Sequence, residues 1–207
     1  MDVYEAIYSR RDIRHFRPAE IADDVLTRIL DAAHHAGSVG FMQPWNFIII
    51  RDLKMRQSVK KIFDREHANA AENYVGDRKE SYQSMKLEGV LESALNLCVT
   101  CDRTRGGAVL GRNTIFDTDL FSTCCAIQNL WLAARAEGVG VGWVSILDAG
   151  ELAALLGLPQ GVVAVAYLCI GYPVEFRERP MLEEVGWRDR LPLQEVIFNE
   201  RWGGRET

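Results

Sequence analysis

The chain has 207 residues, 48% apolar and 26% charged, which excludes a wholly disordered polymer and suffices for a core without disulfide or metal staples. With 24 basic and 29 acidic side chains the formal charge is −5, so the global basic field of a dedicated nucleic-acid binder is absent, although a local anion site stays open. The opening ten residues carry Asp2 and Glu5 without an apolar signal-peptide stretch, the longest apolar run is Val162 to Ile170, and the five cysteines form an odd set; the expectation is a cytoplasmic protein with reduced thiols and no membrane contact.

Helical and strand patterns alternate along the chain, without repeats or low-complexity linkers. Val3, Ile7 and Tyr8 share one face of a short opening helix that runs into Arg10-Arg11-Asp12-Ile13-Arg14 before Pro18 breaks the pattern. Asp23 or Asp24 is placed to cap a second helix carrying Val25, Ile29, Leu30 and Ala33 at helical spacing, and Gly37 is expected to stop it. Phe47 to Ile50, after Pro44 and Trp45, reads as a buried strand. Lys54 to about Gly76 is helical but polar on most faces, and Tyr82 to Val90 is expected as another helix. Leu95 to Thr100 has a strand pattern, and residues 102–117, with Gly106, Gly107 and Gly111, read as a loop.

Residues 118–137 make the strongest helix, with Leu120, Cys124, Ile127, Leu130, Trp131 and Ala134 on one wide apolar face and Gly138 at its end. So apolar a helix belongs in the core or in a subunit interface. Residues 139–146 form a strand threaded by Gly140 and Gly142, Asp148 and Glu151 open a short helix ending at Gly157, and 162–171 is a long strand. From Pro173 periodicity is lost until residues 193–198, and Trp187 and Trp202 suggest that this stretch packs on its own body or on a partner. The sum is one α+β domain over 1–207, helices around one mixed sheet, with an irregular extension from about residue 173.

Arg10, Arg11 and Arg14 could receive a phosphate dianion through forked, permanently charged donors, or they could simply satisfy the end of the preceding helix. Asp12 among them could neutralise the patch or serve as an acid/base beside an anionic ligand, and the neighbouring guanidiniums are expected to keep it ionised. The loop Ser38 to Asn46 presents Ser38, Gln43 and Asn46 either to the edge of a heterocycle or to its own backbone. Gly138-Val-Gly-Val-Gly142 lacks the dinucleotide fingerprint spacing; its glycines admit either another chain segment or a flat ring, and Ser145 at the strand end could place a hydroxyl over such a ring. Cys98 and Cys101 would point to opposite faces of a strand, so they read as packing, as do Cys124 and Cys125 in the long helix. The histidines show no ligand spacing, and no metal is expected. Arg188 and Arg190 are either solvated or complete a phosphate site begun at Arg10.

Tyr4 to Phe16, the Gln43-Pro-Trp-Asn-Phe47 loop, the Gly138 to Ile146 strand and the paired tail arginines together resemble the nitroreductase-like flavoproteins over nearly the whole chain. Asp12, Gly40 to Trp45, Lys86 to Gly89, Cys98 to Gly107, Gln128 to Gly138 and Gly142 to Ile146 narrow the resemblance to the branch that makes 5,6-dimethylbenzimidazole for cobalamin. The resemblance implies a homodimer with flavin sites at its interface and an extension packing on the partner subunit. It implies FMN contacts from Arg10, Arg11, Asp12, Ile13, Arg14, Ser38, Leu87, Ser145 and Arg188 or Arg190, with Asp12 and Ser145 catalytic. Reduced FMN would be the substrate, delivered by a separate flavin reductase. O2 would be the co-substrate, and erythrose 4-phosphate the sugar fragment. Residues 73–90 are the candidate lid. The competing expectations are an NAD(P)H-dependent nitroreductase or flavin reductase with recycled FMN, and a non-catalytic flavin carrier.

Overall fold

The computed structural model describes residues 1–204. Its elements in chain order are α1 (Val3–Ser9), α2 (Asp23–His34), β1 (Trp45–Ile50), α3 (Leu53–Ala71), α4 (Asp77–Ser84), β2 (Leu95–Asp102), α5 (Thr118–Ala136), β3 (Gly140–Val144), α6 (Ala149–Leu156), β4 (Val162–Gly171) and α7 (Met181–Glu184). The near-continuous apolar runs of β2 and β4 become the centre of a sheet ordered β1-β2-β4-β3, where a strand is covered on both faces. All three pairings are antiparallel, and a parallel bridge from Asp12 to Val141 adds a short strand-like segment beside β3.

Alternation along the strands divides the core. Leu97, Val99, Leu168 and Ile170 face α2 and α5, packing on Ile29, Ile127 and Leu130. Cys98, Tyr167 and Cys169 face the other way, with Val59 and Phe63 of α3 and Leu152 of α6. Cys98 and Cys101 are both buried free thiols, and burial pushes the Cys98 thiol up to about 12.

Several local expectations are corrected. Neither Asp23 nor Asp24 caps α2; Ala22 stands at that position, and the two acids occupy the first turn. The helix ends at His34, before Gly37. The helix expected over 82–90 lies earlier, as α4, and 85–90 continues without helix. Tyr82 is buried there in a ring stack with His67 (4.8 Å) and Tyr74 (4.9 Å), which ties α4 to α3. Residues 193–198 supply only a 3₁₀ turn, Leu193–Glu195. Most informative is α5. The N-terminal half of its buried face is polar, with Asp119, Ser122 and Thr123, while Cys124 and Cys125 are exposed rather than core fillers. The polar face is possible because Arg103 (3.1 Å) and Arg112 (2.7 Å) both reach the buried Asp119 carboxylate.

The chain divides into two compact units, residues 1–176 and a second from Arg177 onward. In the second, Arg177 pairs with Glu184 of α7 (2.5 Å), and Trp202, 90% exposed, leans on Phe198 (4.8 Å).

A Cβ at Gly142 would collide with the Ile13 carbonyl oxygen, and one at Gly140 would stand 2.8 Å from the Ile13 side chain. Gly142→Ala should therefore lower stability by about 1–3 kcal/mol in denaturant melts. Gly37→Ala, with nothing within 4 Å, should stay within about 0.5 kcal/mol. Equal effects of the two would show that the close approach is not under constraint.

Candidate active site

The sequence left open what the glycines of β3 admit; in the structure they admit another segment of the chain. Residues 12–13 lie along the outer edge of β3, where Ile13 N–H donates to Val141 O (2.9 Å). The same alignment brings the Trp143 N–H to Asp12 Oδ1 (2.9 Å). Further along, Arg17 N–H donates to Tyr172 O (2.8 Å), and Val174 N–H to His15 O (3.0 Å). The segment is thus fastened over its length, and Asp12 Oδ1 is held by a backbone donor.

The three arginines of this segment have separate attachments. Arg11 donates to the carbonyls of Tyr8 (2.8 Å) and Arg10 (2.7 Å), which is the helix-end role the sequence left open for it. Arg14, 13% exposed in its side chain, pairs with Asp12 Oδ2. Arg10 lies over the Trp131 ring, 4.8 Å from its centroid. Trp131 Nε1–H donates to Arg11 O (3.2 Å), and Arg135 Nε–H donates to Ser9 O (3.3 Å), so α5 grips this segment by its carbonyls.

Asp12 differs from expectation in its titration. Desolvation holds its carboxyl above the ordinary carboxylate value and outweighs Arg14, the Trp143 N–H and Arg10, which all favour the charged form. About 30% of the Asp12 side chain still meets solvent, but the chain packed around the rest makes the ionised form costly. The arginines favour the charged form, as expected, but burial opposes them and sets the direction of the shift.

Ser145 stands exposed just past β3, two residues from the amide that holds Asp12, about 6.6 Å along the strand. It lines a pocket of about 220 Å³ with Trp143, Leu147, Leu152 and residues 164–167 of β4. Ile13 is buried, and half-buried Leu87 packs in the same cluster, near Phe16 and Val144. Gly89 brings that stretch against the Arg14 carbonyl, where a Cβ would stand at 3.1 Å. Ser38 Oγ accepts the Gln43 N–H (3.2 Å), and Asn46 is engaged by Arg105 and by Thr100 (3.2 Å). The structure thus assembles Asp12, Arg14 and Ile13 on the edge of β3, with Arg10 beside them on α5 and Ser145 at the strand end. Arg188 and Arg190 are exposed after α7 in the second unit.

Residues the sequence did not single out for the site are Trp131, read only as core, and Arg105. The latter donates to the carbonyls of Gln43 (2.7 Å) and Trp45 (2.9 Å), fixing a loop in which Phe41 and Gln43 both have positive φ. The signal for Arg105 was the run Asp102-Arg-Thr-Arg105 at the head of a Gly-rich loop, two cations directly after an acid.

An anionic flavin fits these residues. Arg14 Nε is buried without a hydrogen-bond partner among the described residues, Arg10 lies in the same segment, and a largely apolar pocket that includes Ser145 lies along the strand. Among the described residues no helix is long and apolar enough to cross a membrane, and no cluster of His, Cys, Asp or Glu could hold a metal ion.

Comparison with known proteins agrees. The model of the Nitroreductase family matches residues 7–172. The chain is 43% identical over 193 residues to a 5,6-dimethylbenzimidazole synthase of Rhodospirillum rubrum, covering 92% of each protein. Its fold is similar to that of an iodotyrosine deiodinase bound to FMN and 3-iodo-L-tyrosine (TM-score 0.75, 21% identity, 95% of this chain and 100% of that one). It is also similar to a BluB-like flavoprotein from Clostridium difficile 630 (TM-score 0.72, 18% identity, 95% and 98%).

A carboxyl whose folded pKa is raised favours the folded state while protonated, and that advantage is lost as pH rises through the raised value. Melts of the flavin-free protein across pH should show Asp12→Asn gaining on wild type as pH climbs above the ordinary carboxylate range. A stability difference that does not move with pH would show that desolvation is not dominant at Asp12.

Proposed function

From the premise that this chain belongs to the nitroreductase family, we propose that it is the enzyme of the branch in which the flavin itself is consumed, a 5,6-dimethylbenzimidazole synthase. The substrate is reduced FMN and the co-substrate O2. The products are 5,6-dimethylbenzimidazole, erythrose 4-phosphate and the remainder of the flavin ring. The observation that carries the reading, beside 43% identity across 92% of the chain, is a carboxyl at position 12 locked to a strand amide between two guanidiniums.

When bound, reduced FMN supplies both the electrons and the carbon skeleton of the product. The chain's own residues bind, orient and move protons. Arg10 and Arg14 hold the phosphate end, with Arg11 fixing the backbone between them. Ile13, Leu87 and Ser38 line the site, and Ser145 offers a hydroxyl to the ring. Asp12 is the general acid/base. Its Oδ1 accepts from the Trp143 amide and its Oδ2 pairs with Arg14, so both oxygens hold the carboxyl in place and a remaining lone pair takes and returns the proton. A raised pKa suits that task, because a carboxylate that titrates far below neutrality is a weak base and takes a proton poorly.

The working unit is a homodimer. Val3, Tyr4, Ile7 and Tyr8 of α1 and Phe121 of α5 form exposed apolar faces that a second copy would cover, closing the flavin sites against water. A separate reductase supplies reduced FMN in a transient encounter, and the protein works in the cytoplasm.

The test is to give the protein FMNH2 and O2 without NAD(P)H and to follow 5,6-dimethylbenzimidazole by mass spectrometry. Product should accumulate as flavin disappears. Oxidised FMN and peroxide alone, with NADPH consumed at enzymatic rates, would instead establish a recycling flavin reductase. Asp12→Asn should keep flavin binding and lose product formation by about 100-fold or more. Ser145→Ala should lower the yield of product per flavin oxidised, and an unchanged yield would reduce Ser145 to a lining residue.

A further inference from the structure

We infer that Trp131 is a positioning residue for the phosphate end of the substrate, acting through Arg10; this rests on the reading that Arg10 binds that phosphate. Trp131 is a buried residue of α5 in the core beside the sheet, and its neighbours there would be satisfied by any large apolar side chain. Two of its contacts would not. Its Nε1–H donates to Arg11 O at 3.2 Å, and its ring face carries the Arg10 guanidinium at 4.8 Å.

One helical turn on, Arg135 Nε–H donates to Ser9 O at 3.3 Å. The carbonyls on either side of Arg10 are therefore both held by α5, and the guanidinium between them lies over an indole ring. A guanidinium held over an aromatic face has lost much of its positional freedom before a ligand arrives. For a ligand read by forked donors, that prior restriction is the entropic part of recognition. The Trp131 ring also stands 6.3 Å from Trp143, whose amide holds Asp12, so the phosphate end and the acid/base are referenced to the same core position.

Binding of FMN and of riboflavin, which lacks the phosphate, separates this role from ordinary packing. Flavin fluorescence quenching would be titrated for the full chain and for Arg10→Ala, Trp131→Leu, Trp131→Phe and the double variant Arg10→Ala/Trp131→Leu. Arg10→Ala should weaken FMN about tenfold or more and leave riboflavin unchanged. Trp131→Leu should weaken FMN about three- to thirtyfold, again sparing riboflavin, while Trp131→Phe, which keeps an aromatic face, should recover part of the loss. The double variant should bind FMN no worse than Arg10→Ala alone, because the tryptophan acts through the arginine.

Riboflavin binding also reports whether each variant folds. Equal weakening of both flavins by Trp131→Leu would overturn the inference, as would unchanged FMN binding in that variant while Arg10→Ala loses it. Unchanged FMN binding in Arg10→Ala would overturn the phosphate reading first, and this inference with it.

Discussion

The missing side chains at Gly140 and Gly142 are the constraint from which the site is built. Only a strand edge without Cβ atoms at those positions lets residues 12–13 lie against β3, where a Cβ at 142 would occupy the place of the Ile13 carbonyl. Once that segment is seated, the rest follows from backbone geometry. The Val141 carbonyl accepts the Ile13 N–H, the Trp143 N–H donates to Asp12 Oδ1, and the arginines on either side are delivered to α5 and to Asp12 itself. A carboxyl held by a main-chain donor keeps its position at little cost in side-chain entropy.

The charges of this segment are divided rather than pooled. Arg11 satisfies the carbonyls at the end of α1, Arg14 pairs with Asp12, and Arg10 stacks on Trp131. Helix-end stabilisation, one of the two interpretations of a basic cluster, applies to Arg11, while the proposed anion recognition calls on Arg10 and Arg14. Asp12 sits where desolvation and positive charge oppose each other, and desolvation prevails. Such a balance suits a proton carrier better than either a purely apolar site or a fully ion-paired one.

Much of this was legible in the sequence. The strands β2 and β4 announced themselves as apolar runs because central strands are buried on both faces, and Asp148 does cap α6, accepting the Glu151 N–H at 2.7 Å. Motif order suggested Asp12 and Ser145 for the candidate site; in the structure Asp12 attaches to β3 through the Trp143 amide and Ser145 follows the end of that strand. The inward face of α5 was misread because its polar half is neutralised by Arg103 and Arg112, which arrive from a loop outside the helix. Periodicity within one element cannot display a partner that tertiary structure supplies. For the same reason Trp131 looked like core alone: an indole that packs on one side and donates on the other has the same hydrophobic signature as one that only packs.

The pocket beside Ser145 and the uncovered helices point to one further consequence. Ser145 is exposed, the pocket's walls come from β3, β4 and α6, and the apolar face of α1, whose end leads into Arg10, is also exposed. Chemistry that must exclude water needs a second wall, and an apolar helix face needs a cover. In a homodimer a single association would meet both needs. The segment joining them is residues 9–14, held by α5 on one side and by β3 on the other. A shift of α1 on assembly would then be passed directly to Arg10 and Asp12. On this view, completing the pair and setting the donors and the proton carrier are one structural event rather than two.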